Sequence, residues 1–363
     1  MMAAAFLLAA VATVLLTPLV RGVANRYSVV DLPGERRVNV APIARGGGLA
    51  IAGTFVGTVL VVTLSNQWLH LTPMPDTIRP PELLALLGGG AAAAVMGAAD
   101  DYYQLRARWQ GLGQLLLAMS AVVIGITVDF VNNPFGPGLL FLGGFSGIFT
   151  IFWFLGMINS INWIDGLDGL SSGVGLIAAA TLGMISLTVA VGQPYVAVLC
   201  FALAGALAGF LRWNFHPATI FMGTSGTIFV GYTLAVLSIL GTAKVAVAML
   251  VLGVPIIDTF WIIVRRVAAG RSPFTPDRGH IHHRLLDLGL SHTQTVLLIY
   301  GLCIGLAVLA FVLSGTAQLY AFAIFVVVAG FLLYGLSRRS GTPPPTTREA
   351  VPDQYGANSP RVR

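Results

Sequence analysis

The sequence predicts an all-α polytopic membrane protein, and two observations carry that prediction. Of the 363 residues, 56% are hydrophobic and only 9% are charged, and the mean hydropathy is +0.85. Soluble domains are about half apolar and a quarter charged, so water is not the main solvent of this chain. The apolar sequence also falls into runs close to the length of about 20 residues that a helix needs to cross the hydrocarbon core.

Eleven such runs, bounded by charges, prolines or glycine turns, are treated as transmembrane helices. The first lacks a preceding positive region and a small-residue cleavage site, so we expect a retained span and not a signal peptide. Residues 1–336 form the predicted transmembrane domain, and 337–363 a disordered cytoplasmic tail. The predicted spans are 3–20, 46–65, 83–99, 112–128, 147–161, 170–191, 195–212, 226–242, 245–264, 295–313 and 317–336.

Basic residues decide the orientation, because cytoplasmic loops carry an excess of Arg and Lys. With the N-terminus outside and the C-terminus cytoplasmic, only Arg79 and Lys244 of the 20 basic residues face outward, which leaves 18 inside. The net charge of +6 does not indicate nucleic-acid binding, because these residues flank apolar spans and form no aromatic-interleaved patch. We expect membrane lipids and phosphorylated substrates as partners. The outer loop 129–146 could form a small hairpin.

Two of the predicted cytoplasmic loops are rich in carboxylates. Asp100 and Asp101 follow the third span directly, an arrangement favoured when a divalent cation or a metal-bound phosphate lies beside them. Solvated acids in a loop are the alternative. The second loop, NSINWIDGLDGL, contains four oxygen-bearing side chains that suit a hard cation or a sugar nucleotide, whereas its two Asp-Gly steps could simply form tight turns.

Two further cytoplasmic loops combine glycines, histidines and arginines. In RWNFHPATIFMGTSGT, the last five residues could offer backbone amides to a phosphate, or could form a capped helix start. In RSPFTPDRGHIHHRLLDLG, histidines and arginines together suggest pyrophosphate binding or proton transfer. A zinc site is conceivable there, but cysteine partners are absent and the acids elsewhere suit magnesium better. The residues concerned are Asp277, Arg278, His280, His282, His283 and Arg284.

Asp258 is the only acid well inside a predicted span. An intramembrane carboxylate is a functional candidate by default. A structural hydrogen bond to a neighbouring helix is an equally good interpretation.

In this order and on one side of the membrane, these stretches resemble the polyprenyl-phosphate N-acetylhexosamine-1-phosphate transferases of glycosyltransferase family 4. The resemblance runs from DLPGERRVNVAPIARGGG through GAADDYYQL, NSINWIDGLDGL, HPATIFMGTSGT and GVPIIDTFW to DRGHIHHRLLDLG. The HIHHRL form is similar to the branch that transfers GlcNAc-1-phosphate to undecaprenyl phosphate.

The resemblance implies eleven spans, with cytoplasmic active-site loops in the transmembrane domain, in a bacterial inner membrane. It implies transfer of N-acetylhexosamine-1-phosphate from a UDP-HexNAc, expected to be UDP-GlcNAc, to a polyprenyl phosphate with release of UMP. The cofactor would be Mg²⁺, with Mn²⁺ as an alternative. The product would enter cell-envelope polysaccharide synthesis, such as lipopolysaccharide or teichoic acid. A homodimer is left open.

The resemblance also implies roles for individual residues. Asp100 and Asp101 match an acid pair that engages the lipid phosphate, with Asp100 the candidate base, and Phe221 matches an aromatic residue that stacks on uracil. The implied catalytic residues are Asp100, Asp101, Asp165, His282 and His283. The implied substrate-binding residues are Arg45, Asn159, Asp168, Phe221, His280 and Arg284. The implied metal-site positions are Asn162, Asp165 and Thr224.

Thr224 departs from the family pattern, because the family has Asp at this position of the FMGD motif and that Asp resembles the principal magnesium ligand. A neutral hydroxyl is a much weaker ligand for a hard cation than a carboxylate. The alternative is therefore a catalytically impaired relative that binds lipid or nucleotide. A transporter, which predicts broken spans and mid-membrane polar residues, and an aromatic prenyltransferase, which needs two aspartate-rich motifs, fit the sequence less well.

Overall fold

The computed structural model of the chain is almost entirely helical over the part that it describes. The predicted tail beyond Arg339 lies outside that part, as do Arg79, Lys244, Asp277 and Arg278. The described residues are 1–32, 41–69, 80–136, 138–188, 190–240, 245–268, 270 and 279–339.

Fourteen α-helices form within these residues, and a π-helical turn, Ala85–Gly89, joins α3 to α4. The helices are α1 Met2–Arg26, α2 Gly48–Leu69, α3 Pro80–Leu84, α4 Gly90–Tyr103, α5 Ala107–Ile124, α6 Ser146–Ile164, α7 Leu170–Ser186, α8 Pro194–Asn214, α9 Gly223–Ile239, α10 Val245–Val251, α11 Gly253–Ala268, α12 Ile281–Asp287, α13 His292–Val312 and α14 Thr316–Arg339.

Each of the eleven predicted spans overlaps one of these helices or a helix pair. Seven helical segments of the described chain are long and apolar enough to cross a membrane, or eight if α10 and α11 count as one span. An all-α polytopic membrane protein is therefore confirmed, while the count of eleven crossings and the orientation stay predictions. The helix α14 runs to Arg339, so the first three residues of the predicted tail, 337–339, are helical.

The predicted span 245–264 consists of two helices, because α10 and α11 are bent by 78° relative to each other. Pro255 lies in the first turn of α11. Proline has no N–H to bond the carbonyl four residues earlier, and its ring clashes with that carbonyl, which favours a bend at this point. The bend brings Asp258, just beyond it, into contact with the His280 loop.

The helix α9 is the centre of the bundle. Every residue from Gly223 to Ser238 is buried, as expected for a helix that is apolar on all sides. It packs against α2, α4, α6 and α7. At the crossing with α4, a Cβ added to Gly97 would lie 2.3 Å from the carbonyl oxygen of Thr224. Glycine thus allows the ends of α4 and α9 to meet backbone to backbone.

Small residues also bring α1 and α8 together. A Cβ on Gly205 would lie 2.1 Å from the carbonyl oxygen of Phe6, and one on Gly209 would lie 2.2 Å from that of Ala10. The two glycines are four residues apart, which is the spacing of the GxxxG packing motif of membrane helices. The opposite face of α1 exposes large apolar side chains such as Leu15, as a lipid-facing surface would.

Within the described residues, two short hairpins lie outside the helices. The strands β3 Phe130–Asn132 and β4 Leu139–Phe141 pair antiparallel, which confirms the hairpin expected in the loop 129–146. The strands β1 Val30–Asp31 and β2 Ile43–Ala44 form the second hairpin.

Candidate active site

The start of α9 is held by the carboxylate of Asp101 at the end of α4. The amide of Thr224 donates to Asp101 Oδ1 at 2.8 Å, and the amide of Ser225 donates to Oδ2 at 3.0 Å. Helix N-termini leave amides without intrahelical partners, and a carboxylate also interacts favourably with the helix dipole. The capped helix start considered for the GTSGT stretch is therefore observed, with a cap supplied from another helix. Two of the amides suggested for a phosphate, those of Thr224 and Ser225, already bind this carboxylate.

Arg45 reaches the same carboxylate from the segment that follows β2. Its Nη2 lies 3.4 Å from Asp101 Oδ1, and its Nη1 lies 3.5 Å from Asp31 Oδ1. The backbone around Arg45 is fixed because Ala44 bridges to Ile220. The Phe221 amide donates to Ala44 at 2.8 Å, and the Gly47 amide donates to Phe221 at 3.0 Å.

Asp100 faces different partners from its neighbour. Its Oδ1 accepts both the Leu105 amide at 3.0 Å and the Gln110 side-chain amide at 2.7 Å. Asp100 therefore organises the turn between α4 and α5, where Gln104 adopts a left-handed conformation with φ +50°. One oxygen atom of Asp100 makes both of these contacts.

The NSINWIDGLDGL stretch, predicted as a loop, is helical over its first half, because α6 continues to Ile164. The chain leaves the helix at Asp165 and turns beside α9. Thr227 of α9 donates its hydroxyl to Asn162 Oδ1 at 2.6 Å, and the Ser171 hydroxyl donates to Asp165. Burial raises the pKa of the Asp165 carboxyl to about 6, against the lowering effects of Ser171 and Arg45. The charges of Asp101 and Asp168 raise the pKa further. The charged groups of Arg45, Asp101, Asp165 and Asp168 therefore share one electrostatic environment.

Asp168 lies next to two histidines from distant parts of the chain. Its Oδ2 is 2.7 Å from His216 Nδ1 and accepts the Ala218 amide at 3.0 Å. The His216 ring stacks on His292, with centroids 4.2 Å apart. The ligand atoms of Asp168, His216 and His292 lie within 4.8 Å of one another, a spacing that a metal ion could bridge.

The HIHHR motif is anchored to α11 through Asp258. The His280 Nδ1 lies 2.8 Å from Asp258 Oδ2, and the Ile281 amide donates to Asp258 Oδ1 at 2.8 Å. Both oxygens of this acid thus hold the start of α12. Asp258 was interpreted either as a functional acid or as a partner in a structural hydrogen bond. Its hydrogen bonds are structural, and they hold a motif that the resemblance assigns to the site. Asp258, His280 and His282 also have ligand atoms within 4.8 Å.

His282 is buried against the IDGLDG turn. A Cβ on Gly166 would lie 2.4 Å from its Nε2, and its Nδ1 has no hydrogen-bond partner among the described residues. Burial lowers the pKa of His282 well below its usual range, and His283 and His280 lower the pKa further. His282 is therefore a neutral imidazole near pH 7, which suits hydrogen bonding better than charge pairing with a pyrophosphate.

Other predicted site residues have clear structural partners. Arg284 is buried and donates to the carbonyl oxygens of Gly279 at 3.0 Å and Leu333 at 2.9 Å, which ties α12 to α14. Asn159 donates to Gln114 at 2.7 Å and so links α6 to α5. The His283 ring lies 4.4 Å from that of His282, centroid to centroid.

A divalent cation fits the donor set around Asp165. Burial raises the pKa of the Asp165 carboxyl, while the Ser171 hydroxyl and the Arg45 charge lower it. A cation would therefore stabilise the ionised form of this carboxyl. Carboxylate and amide oxygens, such as those of Asp165 and Asn162, are ligand types that Mg²⁺ accepts.

Several polar residues of the site were missed by sequence reasoning. His216 lies in the stretch HPATIFMGTSGT, where no role was predicted for it. Nothing in the sequence next to Pro217 indicates that His216 contacts Asp168. The remaining ones support predicted residues from other helices: His292, Gln110, Gln114, Ser171 and Thr227.

Several known proteins are similar to this chain in sequence. The model of the glycosyl transferase family 4 matches residues 83–242. A probable undecaprenyl-phosphate N-acetylglucosaminyl 1-phosphate transferase of Bacillus subtilis is 36% identical over 331 residues, covering 89% of this chain and 88% of the relative. A decaprenyl-phosphate N-acetylglucosaminephosphotransferase of Mycolicibacterium smegmatis is 34% identical over 81% of this chain and 77% of its own.

A more distant relative extends the same likeness. An undecaprenyl-phosphate alpha-N-acetylglucosaminyl 1-phosphate transferase of Yersinia pestis is 27% identical over 87% of this chain and 85% of its own. The matches cover the helices that carry the acid pair, the NSINWIDGLDGL loop and the start of α9. The chain belongs to glycosyl transferase family 4.

Proposed function

We propose that this protein transfers GlcNAc-1-phosphate from UDP-GlcNAc to a polyprenyl phosphate and releases UMP, in a bacterial inner membrane. One observation carries the proposal: Arg45 and Asp101 meet at the start of α9, and Asp165 interacts electrostatically with both of them and with Asp168. The buried His282 packs against Gly166, the residue next to Asp165. Relatives named for this transfer, alike over most of their length, support the same reaction.

The orientation follows from the charge bias of the loops. The converging residues lie at helix ends that the excess of arginines assigns to the cytoplasm. With eleven crossings and the N-terminus outside, the C-terminal ends of α4, α6 and α11 would lie at the cytoplasmic surface. A water-soluble nucleotide and a lipid phosphate can meet only at such an interface.

In the proposed reaction, a phosphate oxygen of the lipid attacks the phosphorus atom bonded to the sugar. The bond from that phosphorus to the bridging oxygen breaks, and UMP leaves with the electron pair. Phosphoryl transfer depends mainly on positioning and on neutralising charge. Arg45 supplies a fixed positive charge, and the neutral His282 supplies a hydrogen-bonding nitrogen beside Asp165. Bound Mg²⁺, held by Asp165 and Asn162, would supply further charge neutralisation on the pyrophosphate.

The test is UMP release from UDP-GlcNAc and undecaprenyl phosphate by detergent-purified protein, with and without Mg²⁺. We expect release that needs both lipid and metal, and a loss of about 100-fold or more in Asp165→Asn. Asp129→Asn is the matched control, because this acid bonds Ser146 at the other end of α6, and its activity should be unchanged. UMP release without lipid, or equal rates for the two variants, would contradict the proposal.

A second candidate function is binding of lipid or nucleotide without turnover, favoured by Thr224 at the position of the expected carboxylate. It predicts that UDP-GlcNAc protects the protein against thermal unfolding while no UMP forms with any of several UDP-sugars. Magnesium- and lipid-dependent UMP release by the wild-type protein would exclude it.

A further inference from the structure

Two histidines and an aspartate from three separate segments of the chain meet at one edge of the candidate active site. Asp168 lies in the turn before α7, His216 in the loop between α8 and α9, and His292 at the first residue of α13. One possible ligand atom of each residue lies within 4.8 Å of those of the other two. We call these three residues the His-Asp cluster.

The spacing within the His-Asp cluster suits ligands of a single ion. His216 Nδ1 lies 2.7 Å from Asp168 Oδ2, and the rings of His216 and His292 stack with centroids 4.2 Å apart and planes 19° apart. Three atoms that are at most 4.8 Å from one another lie within about 2.8 Å of a common point, and Zn²⁺ binds nitrogen and oxygen at about 2.0–2.2 Å. A movement of less than about 1 Å therefore brings each ligand atom to bonding distance.

His292 lacks the hydrogen bonds that a buried imidazole normally makes. Both of its ring nitrogens are buried, and neither has a hydrogen-bond partner among the described residues. The backbone of Asp168 is close to this ring but does not reach hydrogen-bonding geometry with either nitrogen. A neutral imidazole has one N–H donor and one lone pair, and leaving them unpaired in the interior costs free energy. A metal ion would bind the lone pair.

Asp168 and the start of α13 are held in place by other contacts. Asp168 uses a single oxygen, Oδ2, for both His216 and the Ala218 amide, which leaves Oδ1 for a further ligand. A capping box between Ser291 and Gln294 fixes the first turn of α13. Further along this helix, the Tyr300 hydroxyl donates to the carbonyl oxygen of Gly169, the residue after Asp168. Ligands on segments that are already fixed lose little conformational entropy when an ion binds.

The donor set favours a transition metal over magnesium. Imidazole nitrogens suit Zn²⁺ and similar ions, whereas Mg²⁺ prefers oxygen ligands. Two histidines and one carboxylate are also a known set of three protein ligands for Zn²⁺, with a fourth position left for water. The side chain of His216 is 42% exposed and that of Asp168 is 14% exposed, so an ion can enter from water. Asp165 interacts electrostatically with Asp168, and its negative charge further favours a cation.

We propose that Asp168, His216 and His292 bind Zn²⁺, at a site separate from the magnesium position suggested at Asp165 and Asn162. The ion joins the turn before α7, the loop between α8 and α9 and the start of α13, and so stabilises the fold at this end of the bundle. The inference goes beyond the proposed function and does not depend on it, because it concerns metal binding and stability and not transfer.

The binding test is calorimetric titration of Zn²⁺ into detergent-purified protein that carries no polyhistidine tag, with Mg²⁺ in excess. We expect one Zn²⁺ per chain, and affinities weakened by about 10-fold or more in His216→Gln and His292→Gln. His280→Gln is the matched control, because it removes a histidine from the other group with metal-ligand spacing, Asp258, His280 and His282. Unchanged affinity in His216→Gln and His292→Gln, or a loss of binding in His280→Gln alone, would overturn the proposal.

An experiment on the wild-type protein avoids any folding defect of the variants. Diethyl pyrocarbonate modifies accessible imidazoles, and mass spectrometry locates the modified histidines. Zn²⁺ should protect the exposed His216 from modification, and Mg²⁺ at the same concentration should not. Zn²⁺ should also raise the unfolding midpoint of the wild-type protein more than that of His216→Gln, because an ion that binds only the folded state stabilises it. Equal modification of His216 with and without Zn²⁺ would overturn the proposal.

Discussion

The two adjacent acids at the end of α4 should respond very differently to the same substitution. Asp101 uses both carboxylate oxygens, one for the Thr224 amide and one for the Ser225 amide. Asp100 accepts both of its contacts with a single oxygen, Oδ1. Asparagine keeps one oxygen and replaces the other with an NH₂ group, which can only donate. Asp100→Asn can therefore keep both bonds, whereas Asp101→Asn turns a donor toward one of the α9 amides.

The magnitude follows from the contacts at each acid. A hydrogen bond to a charged group contributes about 1.5–3 kcal/mol, and a buried donor left without a partner loses its hydration as well. Asp101→Asn removes one such bond at a buried helix start and weakens the second by removing the charge. We expect Asp101→Asn to lower the free energy of unfolding by about 2–3 kcal/mol. Asp100→Asn should lower it by less than about 1 kcal/mol.

The assay is denaturant-induced unfolding of the purified variants in one detergent, followed by tryptophan fluorescence. It does not depend on activity, so a catalytic role of either acid cannot produce the difference. Asp101→Ala should be at least as destabilised as Asp101→Asn, because it removes both bonds. Equal losses of stability in Asp100→Asn and Asp101→Asn would refute the assignment of Asp101 as the cap of α9.

Three further predictions concern other parts of the site and its frame. Asp258→Ala should reduce kcat by about 10-fold or more, because His280 and the start of α12 lose their hydrogen-bond partner. Asp258→Asn should retain more activity, since an amide can still bond both partners. Comparing the two kcat values tests this prediction. Thr224→Asp should lower the Mg²⁺ concentration needed for half-maximal UMP release, and an unchanged Mg²⁺ titration, equal to that of Thr224→Asn, would contradict it. Gly48→Ala should lower the unfolding midpoint far more than Gly57→Ala on the same helix. A Cβ on Gly48 would lie 1.9 Å from the Gly226 nitrogen, whereas one on Gly57 meets nothing within 4 Å. Similar midpoints would show that α2 can shift freely against α9.

The sequence by itself determined the class of the protein and where its helices lie. Composition and run length are local properties, and a chain that is 56% hydrophobic and 9% charged can satisfy its backbone in lipid only as helices or a closed barrel. The eleven apolar runs therefore mark helices well, and the hairpin of the loop 129–146 follows from local turn chemistry. The ordered motifs likewise identified Asp101, Asp165 and the HIHHR segment as candidate site residues.

Only the tertiary structure decided what those residues touch. Asp101 and the Thr224 amide are 123 positions apart, and Asp168 and His216 are 48 apart, so no local pattern relates them. The bend at Pro255 depends on how α10 and α11 pack, and it brings Asp258 to His280. Which carboxylate caps a helix depends on the close approach of α4 to α9, because hydrogen bonds form only between groups that packing has brought within about 3 Å.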